Sequence, residues 1–523
     1  MGNQHRAPAG EAAVQPIGRL IRPTSKLYFP QRMTTTATRY EAVIGLEVHS
    51  QLLTESKMFC PCSAAYAYNP PNTHVCPICM GMPGVLPVIN RKAVEYTVMT
   101  GLALNCKIPA RSKFDRKNYP YPDLMKGYQI SQYDMPLCVD GFLEIVVDGE
   151  GRKIGVTRVH LEEDTARLLH RDDNGDSYSL LDINRSGVPL MEIVSEPDMR
   201  SPEEAREYLV NLRQILQYLG VSAGNMEEGN FRCDANVSLR PAGSPELGAK
   251  VELKNINSFR FVVRALEYEV ERQTKALDDG QTIAQETRGW DEHVNKTVSQ
   301  RSKEYAHDYR YFPEPDLPPL ELTPDYVETL RAGLPELPRA RFTRFQDDYG
   351  LAGHEAGLLT ETRATADFFE TAARSGLPAD RQARAKGIAN WMLGDFAHDL
   401  EGKPYAESKI TPEHLAGLVD LVDSGQITGR IAKSVFRKMF EEGGEPAAVI
   451  ESEGLAPISG DDELATAADR VIQGNEAAVA DYRGGKDTVI RFLVGQLMKE
   501  TRGRANPQLA EQVLKSKLGE NGN

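Results

Sequence analysis

Seven prolines crowd into one stretch of the chain and separate two parts of different character. They lie between Pro313 and Pro338, where helices and central strands are both disfavoured. Before this stretch, from Tyr40 to about Leu320, short alternating segments with frequent turn residues indicate antiparallel strands. After it, from about Ala340, Ala, Leu, Glu and Arg recur at helical spacing. The sequence therefore predicts an α+β domain followed by all-α domains.

The length of 523 residues exceeds the ~100–200 residues of one domain, so we expect several. We predict a disordered N-terminal extension (1–38), an antiparallel-sheet domain (39–320), a Pro-rich linker with a helical domain (321–427) and a helical tail domain (428–523). A net charge of −14 disfavours a protein that coats nucleic acid with its whole surface. No run of apolar residues is long enough for a membrane span, so we expect no membrane partner.

The N-terminal extension is basic but has no apolar core, which excludes a secretory signal. It is either a transit peptide, a disordered arm or sequence that precedes a true start at Met33. Cytoplasm is the simpler location, and an organelle is the alternative.

One helix can be predicted closely. Ser201 supplies an N-cap, Pro202 a first helical position and Glu204 a capping-box carboxylate, and Gly220 ends the helix. Leucines at 209, 212, 216 and 219 mark its buried face.

Four of the seven cysteines fall within one short segment. They form two close pairs set in turn-forming sequence, Cys60 with Cys62 and Cys76 with Cys79. This spacing can bring four thiolates to one tetrahedron, as a structural Zn²⁺ requires. Four unligated core cysteines or a redox pair are the weaker alternatives.

Acidic residues and histidines recur on strands whose other face is apolar. Alternation puts Glu47 and His49 on one face of a strand, where both can reach one divalent cation. A second strand ends in Glu162 and Glu163, and Glu192 lies within an apolar run, where a carboxylate is costly to bury without a cation.

Two further strands, Arg232–Arg240 and Lys250–Lys254, carry alternating acids and bases, and the second of them contains Glu252 and Lys254. Such a face suits Mg²⁺ and phosphate oxygens, the requirements of phosphoryl transfer. A solvated face with ion pairs is an equally weighted alternative. A restrained loop adds Arg116, Lys117 and Tyr119, which could hold a nucleotide or a tRNA end or form a surface turn.

The C-terminal segment is locally basic. The segment from Arg483 to Lys517 contains eight basic and three acidic residues, which suggests contacts with a phosphate backbone. Arg502, Arg504 and Lys515 are the candidates we name. A solvated helix face is the alternative.

Many segments resemble the B subunits of aspartyl/glutamyl-tRNA amidotransferases, in family order over nearly everything after Tyr40. They are Ile44–His49, Ser112–Tyr119, Gly127–Tyr133, His160–Asp164, Val194–Asp198, Met226–Gly229, Arg232–Val237, Asp308–Asp316 and Thr501–Pro507.

This resemblance implies a cradle-shaped catalytic domain at 39–320 with a zinc-binding loop at 60–79, and a tail domain that binds tRNA. It implies ATP-dependent amidation of Glu-tRNA(Gln) or Asp-tRNA(Asn), with ATP and Mg²⁺ as cofactors and an acyl phosphate intermediate. No glutaminase nucleophile motif is found, so ammonia should come from a glutaminase A subunit in a heterotrimer with a C subunit.

The resemblance also assigns site residues. It implies that His49, Glu163 and Glu192 bind Mg²⁺ with Glu47 beside them, although strand alternation groups Glu162, not Glu163, with His160. On chemical grounds more than on the resemblance, Lys117 and Lys254 are expected to neutralise phosphate charge, and Arg116, Tyr119 and Glu252 to contact the nucleotide. The four-cysteine site occurs in only some members, so zinc would be structural. A free-standing amide ligase and a non-enzymatic tRNA-binding zinc protein remain as rival classes.

Overall fold

The computed structural model describes residues 39–173, 176–300, 309–376, 381–455, 461–501 and 504–520. The predicted N-terminal extension, residues 1–38, lies outside these residues.

An eight-stranded mixed sheet forms the centre of the N-terminal part. Its strand order is β13-β12-β11-β10-β1-β9-β6-β5, and all neighbours pair antiparallel except β11 and β12. The bounds are β1 Tyr40–Gln51, β5 Cys138–Val147, β6 Glu150–Glu163, β9 Pro189–Ser195, β10 Phe231–Pro241, β11 Val251–Lys254, β12 Glu286–Asp291 and β13 Lys296–Ser299.

Three smaller sheets surround it. They pair β14 (Phe312–Pro313) with β3 (Asp115–Asn118) and β4 (Tyr128–Ser131), β15 (Leu320–Glu321) with β2 (Arg111–Ser112), and β7 (Arg167–Asp173) with β8 (Asp176–Asp182).

Strand alternation in β1 separates the core from the polar face. Ile44, Leu46 and Val48 are buried in the first hydrophobic core, which they share with three helices, whereas Glu47 and His49 point to the opposite face. The helices are α1 (Arg91–Ala103), α2 (Pro202–Leu219) and α3 (Phe259–Asp278). The expected α+β class is confirmed.

Helix α2 begins and ends as its sequence predicts. The Ser201 side chain accepts a hydrogen bond from the Glu204 amide at 3.2 Å, and Gly220 closes the helix with φ of 68°. The Glu204 carboxylate accepts from the amide of Arg200, one residue before the cap.

Helices make up the C-terminal part. Their bounds are α4 Pro324–Ala332, α5 Pro338–Tyr349, α6 Gly353–Leu359, α7 Arg363–Arg374, α8 Arg381–Trp391, α9 Ala397–Leu400, α10 Pro412–Asp423, α11 Gly429–Glu442, α12 Pro446–Ser452, α13 Asp461–Gly474, α14 Glu476–Arg483, α15 Ile490–Glu500 and α16 Pro507–Glu520.

These helices build two further cores. The second runs from Phe345 to Ile450 and the third from Leu464 to Leu518. Helices α11 and α12 lie beyond the predicted division at residues 427/428, yet their apolar faces pack in the second core. The buried residues therefore place the division between Ile450 and Leu464, because the apolar face of an amphipathic helix fixes the core to which it belongs.

Candidate active site

Three adjacent strands bring histidine and carboxylate side chains into one row. His49 of β1 pairs in register with Glu192 of β9, and Glu192 pairs with His160 of β6. Glu162 lies two residues after His160 and therefore on the same face. This face lies opposite the apolar core, where β6 meets the small sheet of β3 and β4.

His49, Glu162 and Glu192 converge. The His49 Nε2 atom lies 3.3 Å from Glu192 Oε2 and 3.5 Å from Glu162 Oε1, and one ligand atom from each of the three residues lies within 4.8 Å of the others. Glu162 and Glu192 are only 2% and 7% exposed. His160 Nε2 approaches Glu192 Oε2 at 3.4 Å. Two buried carboxylates and an imidazole at these distances form a ligand set for a divalent cation.

Two carboxylates lie close together in this cluster, and their proximity shifts the pKa values of the groups around them. Burial and the charge of Glu192 raise the pKa of Glu162. Burial would also raise the pKa of Glu192, but His160 and His49 lower it overall. Burial would lower the pKa of His49, but its hydrogen bond to Glu192 and the charges of Glu192 and Glu162 raise it to about 9. The cluster thus favours a cation between its carboxylates.

Glu163, which the resemblance offered as a ligand, faces elsewhere. Its Oε1 accepts a hydrogen bond from the Ile130 amide at 3.0 Å and pairs with the Lys126 ammonium. Strand β6 stays in regular register with β9 from Arg158 to Glu163, and its one register shift lies earlier, between Val156 and Arg158. Alternation therefore continues to the end of the strand, which puts Glu162 and not Glu163 with His49.

The polar face continues from β1 onto β10 and β11. Glu47 lies opposite Asp234 and accepts a hydrogen bond from Asn236 Nδ2 at 2.9 Å, so it borders the cluster. Lys254 pairs with Asp234 and, at 2.8 Å, with Glu252. The charge of Lys254 is thus already compensated by two carboxylates.

Lys117 lies beside the cluster without such compensation. Among the described residues no carboxylate forms an ion pair with it, and its ammonium lies over the rings of Tyr309 and Tyr119, 5.1 and 5.9 Å from their centroids. Burial would lower the pKa of Lys117, but the charge of Glu162, among others, raises it. Lys117 is therefore the cation best placed to meet an additional negative charge at this site.

Arg116, the neighbouring candidate, is engaged in the fold. Its guanidinium donates two hydrogen bonds of 2.7 Å to the Glu314 carboxylate and lies 4.3 Å from the Tyr128 ring centroid. The Tyr119 hydroxyl lies 3.5 Å from Gln129 Oε1.

The four predicted cysteines meet at a second site. Cys60, Cys62, Cys76 and Cys79 are free, and their sulfur atoms lie within 4.8 Å of one another. The Cys76 amide donates to Cys79 Sγ at 3.2 Å. Four thiols in this arrangement could hold a metal ion.

The predicted RNA contacts of the tail carry ion pairs on the surface. Arg504 pairs with Glu463 at 3.3 Å and Lys515 with Glu511 at 2.6 Å, whereas Arg502 lies outside the described residues. No helix in the described part of the chain is long and apolar enough to cross a membrane.

Two residues of the site had a signal in the sequence that our assignments did not use. Alternation placed Glu162 correctly, and the same alternation placed His160 beside it. Lys126, which pairs with Glu163, had no signal, because its partner comes from a strand distant in sequence.

Comparison with known proteins gives matches over both parts of the chain. A family described as "GatB/GatE catalytic domain" matches residues 42–328, and one described as "GatB domain" matches residues 367–518. Three similar proteins are named as B subunits of the aspartyl/glutamyl-tRNA(Asn/Gln) amidotransferase. The protein from Dehalococcoides mccartyi is 57% identical over 92% of this chain and 100% of its own length. The protein from Thermomicrobium roseum is 57% identical over 92% of this chain and 99% of its own length. The protein from Roseiflexus sp. is 54% identical over 92% of this chain and 98% of its own length.

Proposed function

Because the chain belongs to the family of aspartyl/glutamyl-tRNA amidotransferase B subunits, we propose that it amidates the side-chain carboxylate of Glu-tRNA(Gln), Asp-tRNA(Asn) or both. Its relatives are named as amidotransferases, which makes it a subunit of a ligase-type enzyme. In this proposal ATP activates the carboxylate, and ammonia from a glutaminase A subunit replaces the activating group. A C subunit completes the heterotrimer.

The observation that carries this proposal is the convergence of His49, Glu162 and Glu192 beside Lys117. Two buried carboxylates whose charges repel each other fit a divalent cation, and oxygen ligands suit Mg²⁺. We therefore propose these three residues as the Mg²⁺ ligands, with Glu47 next to them. When bound there, Mg²⁺ would neutralise part of the charge on a transferring phosphoryl group.

The proposed reaction has two steps. A carboxylate oxygen of the misacylated tRNA attacks the γ-phosphorus of ATP, the bond to the bridging oxygen breaks, and ADP leaves. Ammonia then attacks the acyl carbon and loses a proton, and phosphate leaves with the oxygen that the carboxylate supplied. The Lys117 ammonium would stabilise the phosphoryl oxygens in the first step.

The other parts of the chain have supporting roles in this proposal. The four cysteines would hold a structural Zn²⁺ that fixes their loop. The basic tail would hold the tRNA while the 3′ end reaches the site. The expected cytoplasmic location stays a prediction.

The test uses the full chain assembled with A and C subunits, ATP, Mg²⁺ and each misacylated tRNA. Ammonium chloride replaces glutamine, so that glutaminase activity does not enter the result. We expect amide formation that is abolished by His49→Ala and by Glu192→Gln, because both remove ligands from the site. Glu196→Gln serves as the matched control, because Glu196 is exposed and directly follows β9, the strand that carries Glu192. No amide from either tRNA, with an intact complex, would refute the proposal.

A further inference from the structure

A lysine is completely buried next to the four-cysteine site. Lys57 is 1% exposed and belongs to the largest fully buried side chains of the described chain. Its ammonium donates to the carbonyl oxygens of His74 at 2.8 Å and Ile183 at 3.5 Å. In the described part of the chain no carboxylate forms an ion pair with Lys57. A buried ammonium that meets only carbonyl groups is unusual, because burial of an unpaired charge carries a large desolvation penalty.

Lys57 holds both halves of the cysteine site. Its backbone amide donates to the carbonyl of Cys62 at 2.9 Å, within the first cysteine pair. Its side chain reaches the carbonyl of His74, two residues before Cys76 of the second pair. A single residue therefore ties together the two segments whose sulfur atoms must converge.

The side chain of Lys57 also lies near one of the four cysteines, Cys79. A Cβ atom at Gly187 would lie 3.5 Å from Lys57 Cδ, 3.6 Å from Cys79 Cβ and 3.9 Å from Glu163 Oε2, so the three side chains meet around this glycine. Glu163 already pairs with Lys126. The Glu163 carboxylate is therefore shared with another cation, and the cysteine site beside Cys79 is a further source of negative charge near Lys57.

The cysteine site supplies that charge when its sulfur atoms are thiolates. Four neutral thiols carry no charge, whereas four thiolates around Zn²⁺ carry a net charge of −2. We infer that Lys57 is a charge-compensating and positioning residue for a tetrathiolate zinc site, which reduces the net negative charge of the buried site from −2 to −1. This inference rests on the proposed zinc site and adds to it a residue outside the ligand set.

The test replaces the ammonium by a neutral side chain of similar length, Lys57→Met, in the full chain. Lys107→Met is the control, because Lys107 is exposed and pairs with Asp140, not with any residue of the four-cysteine site. Zinc affinity is measured by competition with a chromogenic chelator. We expect Lys57→Met to lower it by about 10- to 100-fold, the usual effect of losing an outer-shell partner, and Lys107→Met to leave it unchanged.

A second measurement separates charge compensation from simple packing. We expect zinc-loaded Lys57→Met to melt below the zinc-loaded unmodified chain, but metal-free Lys57→Met to melt at the same temperature as the metal-free unmodified chain or above it. The reason is that removal of zinc removes the tetrathiolate complex whose charge the ammonium would compensate. A role limited to hydrogen bonding with His74 and Ile183 would lower both melting temperatures equally.

The possible failures are distinguishable. Equal zinc affinity of Lys57→Met and the unmodified chain, or an equal loss of stability with and without zinc, would overturn the role of Lys57 alone. Failure of the unmodified chain to bind zinc would overturn the zinc site and this inference together. Neither result would affect the proposed amidation.

Discussion

Two adjacent glutamates at the end of β6 have opposite surroundings. Glu162 lies with His49 and Glu192, whereas Glu163 accepts the Ile130 amide and pairs with Lys126. The cause is the two-residue period of a strand, which turns successive side chains to opposite faces. A difference of one residue in the assignment therefore moves the proposed metal ligand to the other side of the sheet.

Substitution of these two glutamates should separate their roles. Glu162→Gln should weaken binding of Mn²⁺, used as a probe for Mg²⁺, by about 10-fold or more, because it removes an anionic oxygen ligand. Glu163→Gln should leave Mn²⁺ affinity nearly unchanged, because glutamine still accepts the Ile130 amide. Titration followed by electron paramagnetic resonance measures both, and the reverse order of effects would contradict the ligand set.

The two lysines proposed for phosphate charge should also differ. Lys117→Met should reduce kcat by about 100-fold or more, because Lys117 forms no ion pair with a carboxylate among the described residues and its charge can stabilise the phosphoryl oxygens. Lys254→Met should reduce kcat much less and lower stability instead, because Asp234 and Glu252 lose their shared cation. Steady-state kinetics and thermal melting of both variants check this, and an unchanged kcat in Lys117→Met would exclude its proposed role.

Among single residues, the sequence predicted the kinds of side chain at the candidate site better than it predicted which of two glutamates lies there. His49 and Glu192 were predicted and do meet, and the four cysteines do converge. Glu162 was predictable from alternation alone, but the resemblance pointed to its neighbour. The compensation of Arg116 by Glu314 and of Lys254 by Asp234 could not be predicted, because each pair joins residues that are distant in sequence.

Among the elements, α15 presents the least compensated basic surface of the tail. Arg491 and Lys499 are exposed on one face of this helix, with Phe492 half exposed beside them, and neither cation has an ion pair within the described chain. Lys515 and Lys517 of α16 pair with Glu511 and Asp469. We therefore propose that α15 contributes more to tRNA binding than Arg504 and Lys515, the candidates named from the sequence that lie within the described residues.

Salt dependence should show this difference between α15 and α16. Arg491→Ala and Lys499→Ala should each weaken tRNA binding and reduce the slope of log affinity against log salt by roughly one, because each removes a phosphate contact. Lys515→Ala should have a smaller effect, since its charge is shared with Glu511. Binding isotherms of the full chain at several salt concentrations measure the slopes, and identical slopes for all variants would contradict a phosphate contact on α15.

Helices α5 and α7 are joined by a charged cluster that should make stability depend on pH. Burial would raise the pKa of Glu370, but hydrogen bonds from Arg344 and Arg341 lower it below the usual value. A lowered folded-state pKa adds stability above the unfolded pKa of about 4.3, and this stability is lost as pH falls through the folded value.

Glu370→Gln tests this contribution. At pH 6 it should lower the stability of the second core by about 1–3 kcal/mol, because it removes the charged acceptor of these hydrogen bonds. The difference from the unmodified chain should shrink as pH falls below about 4.3. Urea unfolding at pH 6 and at a pH below about 4.3 measures this difference, with Glu361→Gln, at an exposed residue, as the control. A difference that is constant with pH would show that the charge of Glu370 contributes nothing.

The elements themselves were predictable where local signals agree. Helix α2 has a cap, a proline at its first position and a left-handed glycine at its end, and it forms as expected. Helix α4 was missed, because we interpreted the proline-rich stretch as free of helices. Pro324 and Pro338 instead begin α4 and α5, a position in which proline is favoured.

In the whole molecule, chemistry and RNA binding are assigned to different cores. The acidic cluster belongs to the sheet of the first core, and the basic surface belongs to the third. The order of an α+β part and helical parts could be predicted from periodicity. The division between the second and third cores could not, because α11 and the helices that follow it have similar composition and only packing assigns α11 to the second core.

We propose that this chain activates the tRNA-bound carboxylate as an acyl phosphate at the cluster of His49, Glu162 and Glu192. The test follows oxygen from Glu-tRNA(Gln) whose side-chain carboxylate carries ¹⁸O at both oxygens, amidated by the assembled complex. We predict one ¹⁸O atom in each phosphate released, and no labelled phosphate with Glu192→Gln. Formation of the amide together with phosphate that carries no ¹⁸O would exclude the acyl phosphate intermediate.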